Sequence, residues 1–496
     1  MTKAHAHSFS NSRRRNDEFK TTQRNQRHRE VAGILNPPSR ESGSAPRRTQ
    51  RAVHDGAIAG TGTKPDGPLL DLTEVAYDRC LEGRRKVAFS LPDERTAKVD
   101  KWWAGGFGDR LLGMVTALYL AVLTDSGFVV DWTWPYDIHD FFDMLECESS
   151  GPSLPDISLA NSTAVHRNTL AEHLWSYFSD GSFVQDNGRD VILWSNARHW
   201  EHIVRHPSTS ARAHELGLDK LSKNELFKLG VDSLFGHPSK ELLDSHARLL
   251  REFSTRGRKP PAGRKGGGFF SSGTSASRPY MTSNVPRLSE NPGARPIVGV
   301  QIRAGGVGEG WNDPERHPVS SASSCFAAEA ARLCVEERAC SIFLTADSRK
   351  AASLFEDEFK RLVKDIRGQR KEWSTGSLQR EPPAVVIQTP GVIAHTDRST
   401  LPKDEGAVSQ AWFKSVLDWW TLKNADYLLI SRSGFGETAA WASSARSVRR
   451  LQLAQALADS VGNAGDVNSI ESKSSFSETR KGSDACTFDG AEDAFL

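Results

Sequence analysis

Apolar residues are unevenly spread along the chain, and three stretches almost lack them. Residues 1–80 are rich in Arg, Ser, Gly, Pro and Asn with no periodic apolar pattern, so they cannot bury enough surface to offset their ordering entropy and read as a disordered basic arm. Residues 254–292, with Gly266-Gly267-Gly268 and the Ser-rich run from Ser271 to Ser277, read as a linker or long loop. Residues 458–496 are polar and rich in small residues and read as a second disordered tail. Two patterned stretches remain. In 81–253 the pattern predicts a strand at Lys86 to Ser90, a Gly-rich turn, a helix from Arg110 to Leu123 and strands at Phe128 to Trp132 and Val191 to Ser195. In 293–457 it predicts strands at Ile297 to Ile302, Ser341 to Thr345, Ala384 to Gln388 and Tyr427 to Ile430. Helices lie between them at Ser320 to Glu337, Arg349 to Val363 and Glu405 to Lys423, with a last one from Glu437 to Ser443. Such alternation implies parallel sheets covered by helices, hence an α/β protein.

At 496 residues the chain exceeds what one core usually serves, which agrees with two domains plus appendages. The net charge of +2 hides a basic arm: residues 1–55 hold 12 Lys and Arg against 5 Asp and Glu, leaving the rest slightly acidic. Only the arm could bind polyanions by charge, so the body is not a nucleic-acid platform. The six cysteines show no metal-binding spacing, and Cys325, Cys334 and Cys340, close to one predicted helix, read as buried free thiols. The longest apolar run, Leu111 to Leu123, is too short to span a bilayer and reads as a buried helix.

Ligands of open α/β sheets sit beyond the carboxyl ends of the strands, where the informative residues are expected. After the strand ending at Ile302 come Arg303, Ala304-Gly305-Gly306, Asp313, Glu315 and His317. Asp347 follows the next strand, His395, Asp397 and Arg398 the third, and Ser431-Arg432-Ser433-Gly434-Phe435-Gly436 the fourth. A strand, a small-residue turn and a helix start aim free N–H groups and a positive helix end at an anion. Arg303 and Arg432 add guanidinium forks suited to phosphate, so a diphosphate could be neutralised without a metal. Asp347 offers acceptors for a ribose or a base, or caps the next helix. Gly434-x-Gly436-x-x-Ala439 imitates a dinucleotide fingerprint, and Asp459 stands at the right distance for a ribose. No β-α pattern follows it, which argues against a dehydrogenase.

Three segments resemble the fucosyltransferase superfamily. Gly105-Gly106-Phe107-Gly108-Asp109-Arg110 resembles the Gly-x-Gly-Asn-Arg segment of plant xyloglucan-type enzymes. Val298 to Arg303 is similar to a strand motif of α1,2-, α1,6- and protein O-fucosyltransferases, and Ser431 to Ala439 resembles the Ser-x-x-Ser-Thr-Phe-Gly segment of their donor domain. The departures are Asp109 for Asn, Ala304 for a second Arg, and Glu437 and Thr438, and they favour the xyloglucan-like or bacterial-nodulation-like side. The resemblance implies a GT-B fold, two Rossmann-like domains facing a cleft, with the acceptor side at 81–253 and the donor side at 293–457. It implies an inverting transfer of L-fucose from GDP-fucose to a glycan or glycoprotein, without metal or other cofactor.

On this reading Gly106, Gly108, Asp109, Arg110, Arg303, Asp347, Arg432, Ser433, Gly434, Phe435 and Gly436 hold the donor. Arg303, Asp313 and His317 are the catalytic candidates, and Asp109, Glu315 and His395 also qualify as the base. Trp412, Trp419 and Trp420 have helical spacing and read as core, whereas Trp132, Trp134 and Trp311 stand beside loops where a sugar could stack. The alternative is a catalytically inactive GT-B-like protein that binds a glycan or nucleotide. The chain shows no signal peptide or membrane segment, so the expectation is the Golgi lumen if an anchor precedes Met1 and the cytoplasm otherwise.

Overall fold

The computed structural model describes residues 70–91, 106–132, 136–145, 147, 165–168, 177–178, 181, 183, 189–196, 198–256, 295–308, 311–313, 318–337, 340–373, 385–391, 405–453 and 486–490. Residues Pro68–Leu496 form one compact unit. Its first part contains α1 (Leu72–Leu81), β1 (Lys86–Ser90), α2 (Phe107–Leu123), β2 (Gly127–Asp131), β3 (Val165–Asn168), β4 (Val191–Trp194), α3 (Trp200–Arg205), α4 (Ser210–Glu215), α5 (Lys223–Leu234) and α6 (Lys240–Arg256). The second contains β5 (Ile297–Ile302), β6 (Gly306–Gly308), β7 (Trp311–Asp313), α7 (Val319–Glu336), β8 (Ser341–Ala346), α8 (Arg349–Trp373), β9 (Val385–Ile387), α9 (Glu405–Lys423), β10 (Tyr427–Ile430), α10 (Gly434–Ala442), β11 (Ser447–Leu453) and β12 (Cys486–Gly490).

The fold is α/β, with the parallel sheets that the alternation predicts. The first sheet has the order β2-β1-β4-β3 and is parallel throughout. The second has the order β12-β11-β10-β5-β8-β9 and is parallel except for β12, which runs antiparallel along β11. Strand β5, with all six residues buried, lies between β10 and β8, as a continuous apolar run requires of a central strand. A shared core joins the two parts: Leu111, Leu118 and Phe235 of the first belong to the same apolar cluster as Trp412, Trp419 and Trp441 of the second.

Four expectations are corrected. The arm does not reach residue 80: Asp71 caps α1 by accepting the N–H of Thr73 at 2.9 Å, and Leu72 and Ala76 are buried against the core. One short apolar face is too little pattern to register as a helix. The tail from 458 contains β12, whose Phe488 meets Phe326 at a centroid distance of 5.8 Å. The last helix of the fourth strand-end turn begins at Gly434 rather than Glu437, because Ser433 caps it by accepting the N–H of Gly436 at 3.1 Å.

The fourth correction concerns the cysteines, all six of which are paired. Cys80 bonds Cys147, Cys325 bonds Cys486 and Cys334 bonds Cys340, with Cα–Cα distances of 5.5, 5.7 and 5.0 Å. Sequence separations of 67, 161 and 6 give no hint of these pairs, which exist only once α1, α7 and β12 are in place. Among the described residues no helix is long and apolar enough to cross a membrane.

Two buried histidines give the fold a pH dependence. His199 lies 4.9 Å from the Phe178 ring, and burial, helped by His202, brings its pKa down to about 4. Burial does the same for His246, also to about 4. An unfolded histidine takes up its proton near 6.5, so between about 6.5 and 4 the unfolded chain binds more protons than the folded one. Stability is therefore expected to fall as the pH drops through that window. Urea midpoints measured from pH 7 to pH 4 should decline for the wild type and decline less for His246→Phe; parallel curves would show that His246 does not contribute.

Candidate functional site

The site begins with Gln301 near the end of β5, whose neighbour β10 ends at Ile430. The Gln301 side-chain oxygen accepts the N–H of Ser431 at 3.1 Å and the Ser433 hydroxyl at 3.3 Å. Ser431 in turn donates its hydroxyl to the Gln301 carbonyl at 3.2 Å and accepts the Arg303 N–H at 2.8 Å. Two strand ends are thus knotted together, and Arg303 and the Ser431–Gly436 turn become neighbours although about 130 residues separate them.

The Arg303 loop is held from the other side by Asp347. Its carboxylate accepts the N–H of Ala304 at 3.2 Å and of Gly305 at 2.7 Å, and Arg303 Nε lies 3.7 Å from it. Burial raises the Asp347 pKa, and the Gly305 N–H and Arg303 oppose that rise. The Gly305 φ of +72° explains why glycine stands there. Asp347 is therefore a positioning residue for the arginine loop rather than a capping residue. Ser348 caps α8 instead, accepting the Ala351 N–H at 3.0 Å.

The first part of the chain reaches this place through α2. A Cβ on Gly108 would come within 2.3 Å of the Gly434 backbone, and one on Gly434 within 2.4 Å of Asp109 Oδ1. The two helix N-termini therefore meet backbone to backbone, which only glycines permit. The other oxygen of Asp109 accepts the Gly106 N–H at 3.1 Å, so one carboxylate serves the positive ends of both helices. That environment suits an Asp where the resembling family has Asn.

Of the residues expected to touch the donor, Arg110 lies in the core and Phe435 is half-buried. Arg110 is fully buried, its Cζ 5.5 Å from the Trp132 ring and 5.4 Å from that of Trp412, and burial lowers its pKa to about 9 against the opposing charge of Asp109. It clamps the two parts together. Phe435 packs on Phe107 at 6.4 Å, and Phe107 also meets Trp132, Trp412 and Trp419. Trp132 is buried and unavailable to a sugar, while Trp412, Trp419 and Trp420 are core, as their spacing predicts. Arg432 is exposed on the turn.

Asp313 pairs with Gly306 in the hairpin β6–β7, which brings its backbone back beside the Arg303 loop. Glu315, His317, His395, Asp397, Arg398 and Trp134 lie outside the described residues.

The structure also reveals a buried polar cluster that strand-end reasoning overlooked. Asp418 Oδ2 accepts from Lys414 at 2.6 Å and from Thr345 at 3.0 Å, whereas its buried Oδ1 has no partner among the described residues. Thr389, just after β9, likewise has a buried hydroxyl without a partner among them, and Gly391 of the same loop borders the Lys414 side chain. The signal was Lys414 and Asp418, four residues apart on a helix whose buried residues are otherwise mostly apolar.

Fold and site together define an α/β protein with two mainly parallel sheets, in which the Arg303 loop and the N-terminus of α10 share one sheet edge. No family model matches the chain, and no curated protein matches it. Among solved structures it is similar to an Arabidopsis thaliana FUT1 mutant in complex with GDP, at 12% identity over 77% of this chain and 74% of that one, with a TM-score of 0.43. It is also similar to NodZ alpha-1,6-fucosyltransferase co-crystallized with GDP, at 12% identity over 75% and 96%, TM-score 0.34. A further similarity is to fucosyltransferase NodZ from Bradyrhizobium, at 13% identity over 74% and 95%, TM-score 0.34.

Proposed function

We propose that the chain is a GT-B glycosyltransferase that moves L-fucose from GDP-fucose to a glycan or protein acceptor, with inversion and without a metal. The observation that carries this reading is the convergence of three sequence segments: Gly108 lies against Gly434, and the Arg303 N–H bonds Ser431. All three resemble segments of one enzyme family, and nothing in their spacing along the chain requires them to meet. In this reading the Arg303 guanidinium and the N-terminus of α10 take up the charge that develops on the departing diphosphate. Arg432, exposed on the turn, supplies a second cation. Asp313 and His317 are the candidates for removing the acceptor proton.

The unpartnered oxygens of Asp418 and Thr389 give the guanine end a physical basis. A guanine edge carries adjacent N–H donors, one for Asp418 Oδ1 and a neighbour for the Thr389 hydroxyl, whereas uracil offers one donor between two acceptors. GDP should therefore stabilise the protein and UDP should not. The three disulfides further support an oxidising compartment, in keeping with a luminal enzyme.

A thermal-shift series with GDP, GDP-fucose, UDP-sugars and NAD in excess chelator tests the whole reading. A nucleotide that binds only the folded state raises the midpoint, by about 2.7 kcal/mol of stabilisation at a hundred times its Kd. Shifts with the guanosine nucleotides alone are expected. A shift that vanishes with chelator removes the metal-free mechanism, and a shift with NAD alone restores the dehydrogenase. GDP binding without fucose transfer to any glycan would leave a nucleotide-binding protein.

A further inference from the structure

We propose that the Cys325–Cys486 disulfide is a redox-sensitive clasp, which keeps β12 on the sheet edge and through it supports the Ser431–Gly436 turn. Strand β12 is short and lightly packed. It pairs with β11 from Arg449↔Gly490 to Leu453↔Cys486; Thr487 is exposed, and Cys486 and Phe488 are half-buried. Among the described residues, its side-chain ties to the rest of the unit are the Phe488–Phe326 ring contact, the packing of half-buried Cys486 and Phe488 against the apolar cluster around α7, the Gln452–Asp489 and Thr487–Gln452 hydrogen bonds and the disulfide to α7. Ordering five residues costs more than one half-buried ring and an exposed ladder return, so the covalent link is what retains the strand.

What β12 supports is the path to the site. Arg450 of β11 is buried and reaches Glu437, in the first turn of α10, with Nη2–Oε1 at 3.5 Å. Its neighbour Arg449 pairs with Glu329 of α7 on the opposite face. With β12 present, β11 is an inner strand; without it, β11 becomes the edge and exposes one row of backbone groups to water. Loosening β11 loosens Arg450, and with it the helix whose N-terminus faces Arg303. Cys486 is the accessible end of the clasp, since Cys325 is buried, as are both Cys334 and Cys340. A dithiol breaks the Sγ–Sγ bond, leaving thiols on Cys325 and Cys486 and becoming a disulfide itself, with two electrons and two protons transferred.

The test is amide hydrogen exchange of the full chain followed by mass spectrometry, before and after graded dithiol treatment, with differential alkylation reporting which pairs have opened. Opening of Cys325–Cys486 is expected to speed exchange across residues 447–453 and 434–437 by about ten-fold or more, and reoxidation to reverse it. Cys486→Ser should reproduce the effect without reductant, whereas Cys340→Ser should not. The wild-type titration stands alone if Cys486→Ser fails to fold. Exchange at both segments that stays within about two-fold of the oxidised protein, with alkylation showing the clasp open, overturns the proposal.

Discussion

Gly108→Ala is expected to destabilise the protein severely and to abolish GDP binding together. Within a helix, Gly to Ala ordinarily stabilises, by up to about 1 kcal/mol. Here the added methyl would stand 2.3 Å from the carbonyl carbon and oxygen of Gly434 and 2.6 Å from the Phe435 nitrogen, all backbone atoms that no rotamer change can move. Either α2 or α10 must shift, and the cost should reach or exceed the upper end of the roughly 1–3 kcal/mol typical of overpacking. Because Asp109 and the capped start of α10 move with them, the anion turn is displaced as well. Gly368→Ala is the control: it is an exposed position of α8 with nothing within 4 Å of its added Cβ, and should be neutral or slightly stabilising. Thermal unfolding and GDP titration on both variants decide the matter. A Gly108→Ala protein that melts and binds like the wild type would show that the two helix ends do not meet.

Arg303→Ala should leave the fold intact and remove most of the donor affinity. Its guanidinium is largely enclosed and sits beside one carboxylate, whose oxygens are occupied by the N–H groups of Ala304 and Gly305. Loss of a charge-assisted fork to a phosphate costs roughly 1.5–3 kcal/mol, or about 10- to 150-fold in GDP affinity. Arg303→Lys should recover only part of it, because an ammonium keeps the charge and loses the fork. Isothermal titration with GDP, alongside an unfolding curve, reads both effects. Wild-type affinity and turnover in Arg303→Ala would mean that the strand-end arginine has been assigned the wrong task. Asp347→Asn separates positioning from binding: it should weaken GDP less than Arg303→Ala, since the loop loses its anchor but the arginine remains.

Much of the second sheet was legible from its residues. Ile297–Ile302, Ser341–Ala346 and Tyr427–Ile430 are predominantly apolar runs set between helices, and a strand buried on both faces leaves that mark on a sequence. The strand-end rule places Arg303, Asp347 and the Ser431–Gly436 turn at one edge from the sequence alone. Nearness to an edge does not say which way a side chain points: Asp347 turns inward to the Arg303 loop. Arg110, which only the family resemblance assigns to the donor, lies in the core between two tryptophans.

The sequence by itself determined the alternation of strands and helices, the two patterned parts and the segments that carry phosphate-type chemistry, since each depends on residues close together in the chain. Only the tertiary structure decided the cysteine pairs, the return of Cys486–Gly490 to the sheet edge, the meeting of Gly108 with Gly434 and the buried cluster at Asp418. Each of these joins residues distant in the chain, and such contacts follow from packing in three dimensions, which local periodicity does not encode.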